Sequence, residues 1–561
     1  MKKTLRLIAI CGLAFTLTST VAWAASAKLS QELQSLPSTG NSEVIVQYKI
    51  IPTPAAFLSA TTTGAVVLNT LPHIKGAHMS VPNSSLQTLA ADPNVKYISP
   101  NRQLKAAFDQ ITDGTVGSTY ANSIGQTGAG IGVAIIDSGV ANLPDFYTGG
   151  TSRIVYQQSF VGTEGGADPG GNSPADEFGH GTHVAGILAG NGNGTVYAGV
   201  VPQANIINLR VLDINGAGTD DLVIQAIETA ISLKNQYNIK VINLSLGRGV
   251  TESYTLDPLC QAVEAAWQAG ITVVVAAGND GRDNSAGTFG YGTITAPGND
   301  PFVITVGAAN SNQTTTPSDD TITSYSSKGP TLFDTIAKPD LVAPGNQIVS
   351  TLPPGMTLFN ELPGNQVTGN YFALSGTSMA TPVVAGAAII ASEAYPGITN
   401  NQIKAAMMAT ASKNNFPASS VVVDPSSGIS YTQYDDMFSV GAGELNIQAL
   451  DAMTSLPPNA SAQSPVATFS ASTGVVTLTG INGANVVWGA NVVWGANVVW
   501  GANVVWGANV VWGANVVWGA NATAAENVVW GANVVWGAAS IFASNAGTAA
   551  ECTAIISKGD Q

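Results

Sequence analysis

Basic residues are scarce in this chain. Twenty Lys and Arg stand against 35 Asp and Glu, a formal net charge of −15 over 561 residues, and neither Lys nor Arg occurs between Lys413 and Lys558. So few cations cannot assemble a surface for a nucleic-acid backbone, which excludes that class of partner. Charged residues of both signs reach only 10%, against about a quarter in ordinary soluble domains. The three cysteines, Cys11, Cys260 and Cys552, exclude a multi-disulfide scaffold and an all-cysteine zinc site, which needs four thiolates. Histidine is nearly as rare: His73, His78, His180 and His183 are the full set. Beyond the first two dozen residues no run reads as a membrane span. Apolar residues (45%) and glycine (61 residues) are plentiful. The length suggests several domains, each with a core and many loops.

The chain divides by pattern. Lys2, Lys3 and Arg6 precede an apolar run that ends in Ala22-Trp23-Ala24. This small–x–small pattern reads as a Sec signal peptide at residues 1–24 and predicts a secreted protein, extracellular or periplasmic, or held at the cell surface. Cys11 is a poor lipid-attachment site because bulky Ile10 precedes it. Residues 25–106 read as a small α+β unit. A strand at 43–50, a helix at 85–92 and a strand at Val95–Ile98 carry it. From about residue 127 short apolar runs alternate with helical patterns, the signature of a parallel sheet with crossover helices. The runs are Val133–Ile136, Ala204–Leu209, Val241–Leu246, Ile271–Ala277 and Phe302–Val306; the helices are at 184–190, 219–236, 257–269 and 378–394. This α/β domain is placed at residues 107–455, with a Pro/Ser/Ala-rich linker at 456–480. At 481–538 Asn-Val-Val-Trp-Gly-Ala occurs eight times, holding eight of the ten tryptophans, and a tail follows at 539–561. A six-residue period keeps each position on one face of a strand, which favours β structure over a low-complexity tail.

Chemistry concentrates in four places. In the α/β domain only His180 and His183 can serve as an imidazole base, within His180-Gly181-Thr182-His183-Val184-Ala185-Gly186. Ser378, in Gly376-Thr377-Ser378-Met379-Ala380-Thr381-Pro382, sits where an apolar helix begins, and the helix dipole and free N–H groups favour a nucleophile there. Pro382 is tolerable only near the first turn, which places Ser378 at the helix start. A serine hydroxyl needs a base to take its proton, and that base needs a carboxylate to orient it. Asp137 ends the apolar run Val133–Ile136, and a charge ending a buried strand needs a partner. Asn279, in Ala277-Gly278-Asn279, can donate its side-chain amide to a developing oxyanion, with the Ser378 N–H as second donor.

These motifs, in the order Asp, His, Asn, Ser, resemble those of the subtilisin-like serine proteases, the subtilases of peptidase family S8, over roughly residues 112–455. The resemblance implies a three-layer parallel-sheet domain. It makes Ser378 the nucleophile, His180 the base, Asp137 its orienting acid and Asn279 the oxyanion donor. Ser245, Leu246 and Gly247 then pair with the substrate backbone. Residues 25–106 are similar to the family's inhibitory I9-type propeptide, which implies a self-processing precursor cleaved somewhere in 103–110, with protein or peptide substrates and its own propeptide as partners. No cofactor is needed for such chemistry. Structural Ca²⁺ is plausible in the family, with no ligands assignable.

Other readings are weaker. His183 with His180 could suggest a two-histidine metal site, but no Glu lies between them, so His183 is expected to be packed. An α/β-hydrolase esterase places its histidine after its serine, and no histidine follows His183. A surface adhesin built on the tryptophan repeat would leave four aligned motifs without a purpose. Cys260 is expected to be a buried free thiol on the apolar side of a helix, with a bridge to Cys552 as the alternative.

Overall fold

The computed structural model describes residues 28–100, 118–161 and 173–479, apart from 30, 51, 53, 72–74, 315, 414, 425–427 and 471–474, together with Asp560. The expected signal segment, the cleavage stretch 103–110, Cys552 and the hexapeptide repeats lie outside the described residues. The chain forms two units, Met1–Lys105 and Ala106–Gln561.

In the first unit, strands β1 (Asn41–Tyr48), β2 (Val66–Leu71), β3 (Gly76–Pro82) and β4 (Val95–Pro100) form one antiparallel sheet in the order β2-β3-β1-β4. Alternation along β1 buries Val44, Val46 and Tyr48 on one face. Helices α1 (Pro54–Thr61) and α2 (Leu86–Ala91) pack on the sheet, and Leu86 and Leu89 join its core. The expected α+β unit is there.

The second unit is a doubly covered sheet. Its elements follow the chain as β5 (Gly132–Asp137), β6 (Ile154–Ser159), α3 (His180–Ala189), β7 (Asn205–Arg210), α4 (Asp220–Leu233), β8 (Ile239–Leu244), α5 (Pro258–Gln268), β9 (Thr272–Ala276), β10 (Ile304–Asn310), β11 (Thr321–Ile322) and β12 (Leu341–Pro344). The eight strands run β11-β10-β9-β8-β5-β7-β6, with β12 also paired to β10. All pairs are parallel except the two-residue edge strand β11. Parallel strands covered on both faces should read as continuous apolar runs, and β5, Gly-Val-Ala-Ile-Ile-Asp, is buried at every position. A smaller antiparallel sheet follows, with β13 (Ile348–Thr351), β14 (Gln366–Thr368) and β15 (Tyr371–Leu374). Helices α6 (Thr377–Ala394) and α7 (Asn400–Thr410) come next.

Helices α4 and α5 pack together against the sheet as one layer; α6 and α3 form another. Helix α6 is the central one, lying against β8, β9, β10 and β12. Its small residues permit that approach. A methyl group on Gly386 would come within 2.6 Å of Val200. Among the described residues α6 is the one helix long and apolar enough to cross a membrane, and it is buried in the core.

From β5 the chain crosses to β6 at the sheet edge, returns through β7 beside β5, and then passes to β8, β9 and β10 on the other side. The order therefore reverses between β5 and β8, and open α/β sheets bind ligands in the crevice at the carboxyl ends of strands at such a point. Asp137 closes β5, Ser245 follows β8 and Asn279 lies three residues beyond β9.

Candidate active site

The Asp137 carboxylate, fully buried at the end of β5, is held by two donors on Oδ1. These are the Ser138 N–H at 2.7 Å and the His180 ring at Nδ1, 2.8 Å away. His180 is the first residue of α3, four residues earlier than the apolar pattern indicates. Its polar neighbours are fixed by a residue that pattern reading missed. Buried Asp176 accepts from the Gly179 N–H (2.7 Å), the Thr182 N–H (2.8 Å) and hydroxyl (2.6 Å), and the Ser138 hydroxyl (2.9 Å). It thereby satisfies the open first turn of α3 and ties it to the loop after β5. An Asp just ahead of a helix that begins Gly-His-Gly is the signal that could have revealed it.

Electrostatics favour a cationic imidazole. Burial pulls the His180 pKa down, but the Asp137 charge, its hydrogen bond and the Asp176 charge outweigh this and leave it above 6.5. His183 behaves oppositely. It is fully buried, its Nε2 lies 2.9 Å from the Phe372 carbonyl, and burial lowers its pKa to about 3. It is a neutral packed residue, as expected.

Ser378 is the second residue of α6 and is partly exposed. Pro382 sits in the second turn of the helix, not at its first positions. It therefore cannot supply the N–H that would pair with the Ser378 carbonyl four residues back. The Ser245 hydroxyl supplies it instead, at 2.9 Å, and the Ser378 hydroxyl in turn donates to the Ser245 carbonyl at 3.1 Å. Leu246 and exposed Gly247 continue past β8, fixed by the pairing of Arg248 with Ala296. Gly247 and Gly278 both lie against Thr295, where a methyl on either would come within 2.7 Å.

The Asn279 side chain is oriented by Thr377. Its Oδ1 accepts from the Thr377 N–H (2.9 Å) and hydroxyl (3.1 Å), so only an oxygen can stand there and Nδ2 faces the other way. A methyl group on Gly376 would lie 3.4 Å from Asn279 Nδ2 and 3.7 Å from the Ser378 nitrogen. Two donors thus border one small space that glycine keeps open, the arrangement an oxyanion requires.

The Asp137–His180 pair, a helix-start serine and two converging donors lie on one parallel sheet covered by helices on both faces. The subtilase family model of peptidase S8 matches residues 128–428. The chain belongs to the subtilase family. It is 36% identical over 334 residues to the serine protease AprX of Bacillus subtilis, covering 57% of this chain and 70% of that one. Subtilisin E of the same organism is 32% identical over 389 residues, or 69% and 83%. The subtilisin of Bacillus pumilus is 38% identical over 330 residues, or 58% and 93%. This subtilase is a serine-type endopeptidase with the α/β fold expected of it.

Among the described residues no group of three or more His, Cys, Asp or Glu side chains is placed to hold a metal ion. Cys260 is an unbridged buried thiol whose Sγ lies 3.3 Å from Asn299 Oδ1, and burial raises its pKa well above the ordinary thiol value.

Proposed function

We propose that this subtilase is a secreted endopeptidase made as a self-processing precursor, with Ser378, His180 and Asp137 as its triad. The observation that carries the reading is the 2.8 Å bond from His180 Nδ1 to buried Asp137. It commits the Nδ1 proton to the carboxylate and leaves Nε2 as the basic nitrogen. Ser378 Oγ donates to the Ser245 carbonyl; for the reaction it must turn about the Cα–Cβ bond toward His180 Nε2. Catalytic hydrogen bonds commonly tighten only with substrate present.

The hydroxyl then attacks the scissile carbonyl as its proton passes to His180. The new oxyanion takes hydrogen bonds from Asn279 Nδ2 and the Ser378 N–H. His180 returns the proton to the leaving amine, and water, deprotonated by the same nitrogen, releases the acyl-enzyme. Ser245, Leu246 and Gly247 lie beside this cleft, where an extended substrate can pair with their backbone. The first unit acts as the intramolecular inhibitor until the chain cleaves itself within 103–110. Secretion rests on the N-terminal signal pattern at residues 1–24.

The test is Ser378→Ala. The variant is expected to accumulate as the uncleaved precursor with no peptidase activity. Normal processing in that variant would refute the self-cleaving reading.

A further inference from the structure

Asp560 is held in a socket made by residues 214 to 278 positions earlier in the chain. It is 4% exposed, and its polar groups are taken by three residues of the catalytic unit. Its Oδ1 accepts from Arg282 Nη2 at 2.8 Å and from the Ser324 hydroxyl at 2.6 Å; its Oδ2 accepts from the Ser324 N–H at 2.5 Å. Asn346 grips the backbone from both sides. Its Oδ1 accepts the Asp560 N–H at 2.8 Å and its Nδ2 donates to the Asp560 carbonyl at 2.9 Å.

The socket is built into the fold. The Arg282 side chain is only 3% exposed; its Nε donates to Ser324 Oγ at 2.8 Å, its Nη1 lies 3.8 Å from Asp424, and its guanidinium stacks 5.0 Å over the Tyr431 ring. A buried guanidinium is expensive to leave without a close carboxylate, and the close one here is Asp560. The chemistry is selective. The Arg and Ser groups read a carboxylate, while the Asn amide reads an extended backbone as a neighbouring strand would. Three loops meet there. Arg282 lies three residues beyond Asn279, Ser324 opens the segment whose Ser327 Oγ accepts the Asp280 N–H, and Asn346 follows Gly345, whose carbonyl accepts the Gly376 N–H.

We propose that Arg282, Ser324 and Asn346 form a docking site for the chain's own acidic end segment. Seating Asp560 there tethers that segment to the catalytic unit, so the peptide that follows β-strand Val475–Thr479, tryptophan repeats included, is fixed to the enzyme at both ends. A cut within the repeats then leaves the end segment attached.

The test uses the full chain carrying Ser378→Ala and one recognition site for a sequence-specific protease inserted after residue 545. After cleavage, the fragment holding Asp560 is expected to co-elute with the catalytic unit in size exclusion at micromolar protein. With Asp560→Ala it is expected to separate. A fluorescent synthetic peptide of residues 551–561 should rebind the nicked chain freed of its own fragment, and its Asp560→Ala version should bind at least thirty-fold more weakly. The peptide pair leaves the enzyme unaltered, so a folding defect cannot mimic the result. Separation of the unsubstituted fragment, or equal binding by the two peptides, would overturn the proposal.

Discussion

His180 and Asp137 face each other because one ends a buried strand and the other begins a helix, and their coupling sets a pH dependence. In the proposed triad the base works only when neutral, so activity is expected to fall as pH drops through the His180 pKa, which is raised above 6.5. In Asp137→Asn the charge and the ionic hydrogen bond of Asp137 vanish, while the burial that depresses the imidazole and the weaker pull of Asp176 remain. The acid limb of the kcat/KM profile is then expected to move to lower pH, and kcat to fall about 10⁴-fold through loss of the correct tautomer. An unmoved limb would show that the carboxylate does not govern this imidazole. These two residues and Ser378, Asn279 and Ser245 stand out as candidates in the sequence because each lies in a short motif at a strand end or helix start. Asp176 was not, because its role comes from five hydrogen bonds brought together only by folding. The Ser245 hydroxyl that occupies the Ser378 carbonyl was hidden for the same reason.

At the scale of elements, apolar runs located all five anticipated sheet strands, since each is buried on both faces; four agree to within about two residues at both ends, and the run Phe302–Val306 stops four residues short of the end of β10. What they could not locate were β6, whose residues are half exposed, and the short β12 and β13, whose four residues carry too little pattern. The start of α3 at His180 also lies ahead of the apolar pattern, which begins at Val184, and Gly181 in its first turn permits close contact with the loop after β5. A methyl on Gly181 would stand 2.2 Å from the Gly139 carbonyl and 3.1 Å from Asp137 Cβ. Gly181→Ala must therefore push α3 away from β5 and carry His180 with it. The expected result is a stability loss of about 1–3 kcal/mol and a fall in kcat larger than any change in KM. Thermal unfolding and steady-state kinetics on the purified variant check both. Unchanged kcat would mean that the α3–β5 spacing does not hold the imidazole.

Across the whole molecule, a buried charge cluster knits distant segments together. Lys404 Nζ donates to the carbonyls of Pro301 (2.8 Å), Phe302 (3.2 Å) and Val303 (2.9 Å) and to Ser464 Oγ (2.9 Å), with Asp340 at 3.2 Å; Lys338 reaches Val303 and Asp340 from the other side. Burial lowers the Lys404 pKa to about 7 despite Asp340. Lys404→Met would strand these acceptors in the interior and is expected to destabilise by about 3–5 kcal/mol, read as a lower urea midpoint in the Ser378→Ala background. Neither this cluster nor the Asp560 socket could be read from sequence, since their partners lie tens to hundreds of positions apart. The most direct test of the central claim treats the intact enzyme with a serine-directed fluorophosphonate and maps the adduct by mass spectrometry. Covalent label on Ser378, abolished by His180→Ala, is the predicted result. Label on another serine, or equal labelling of Ser378 without His180, would contradict the triad.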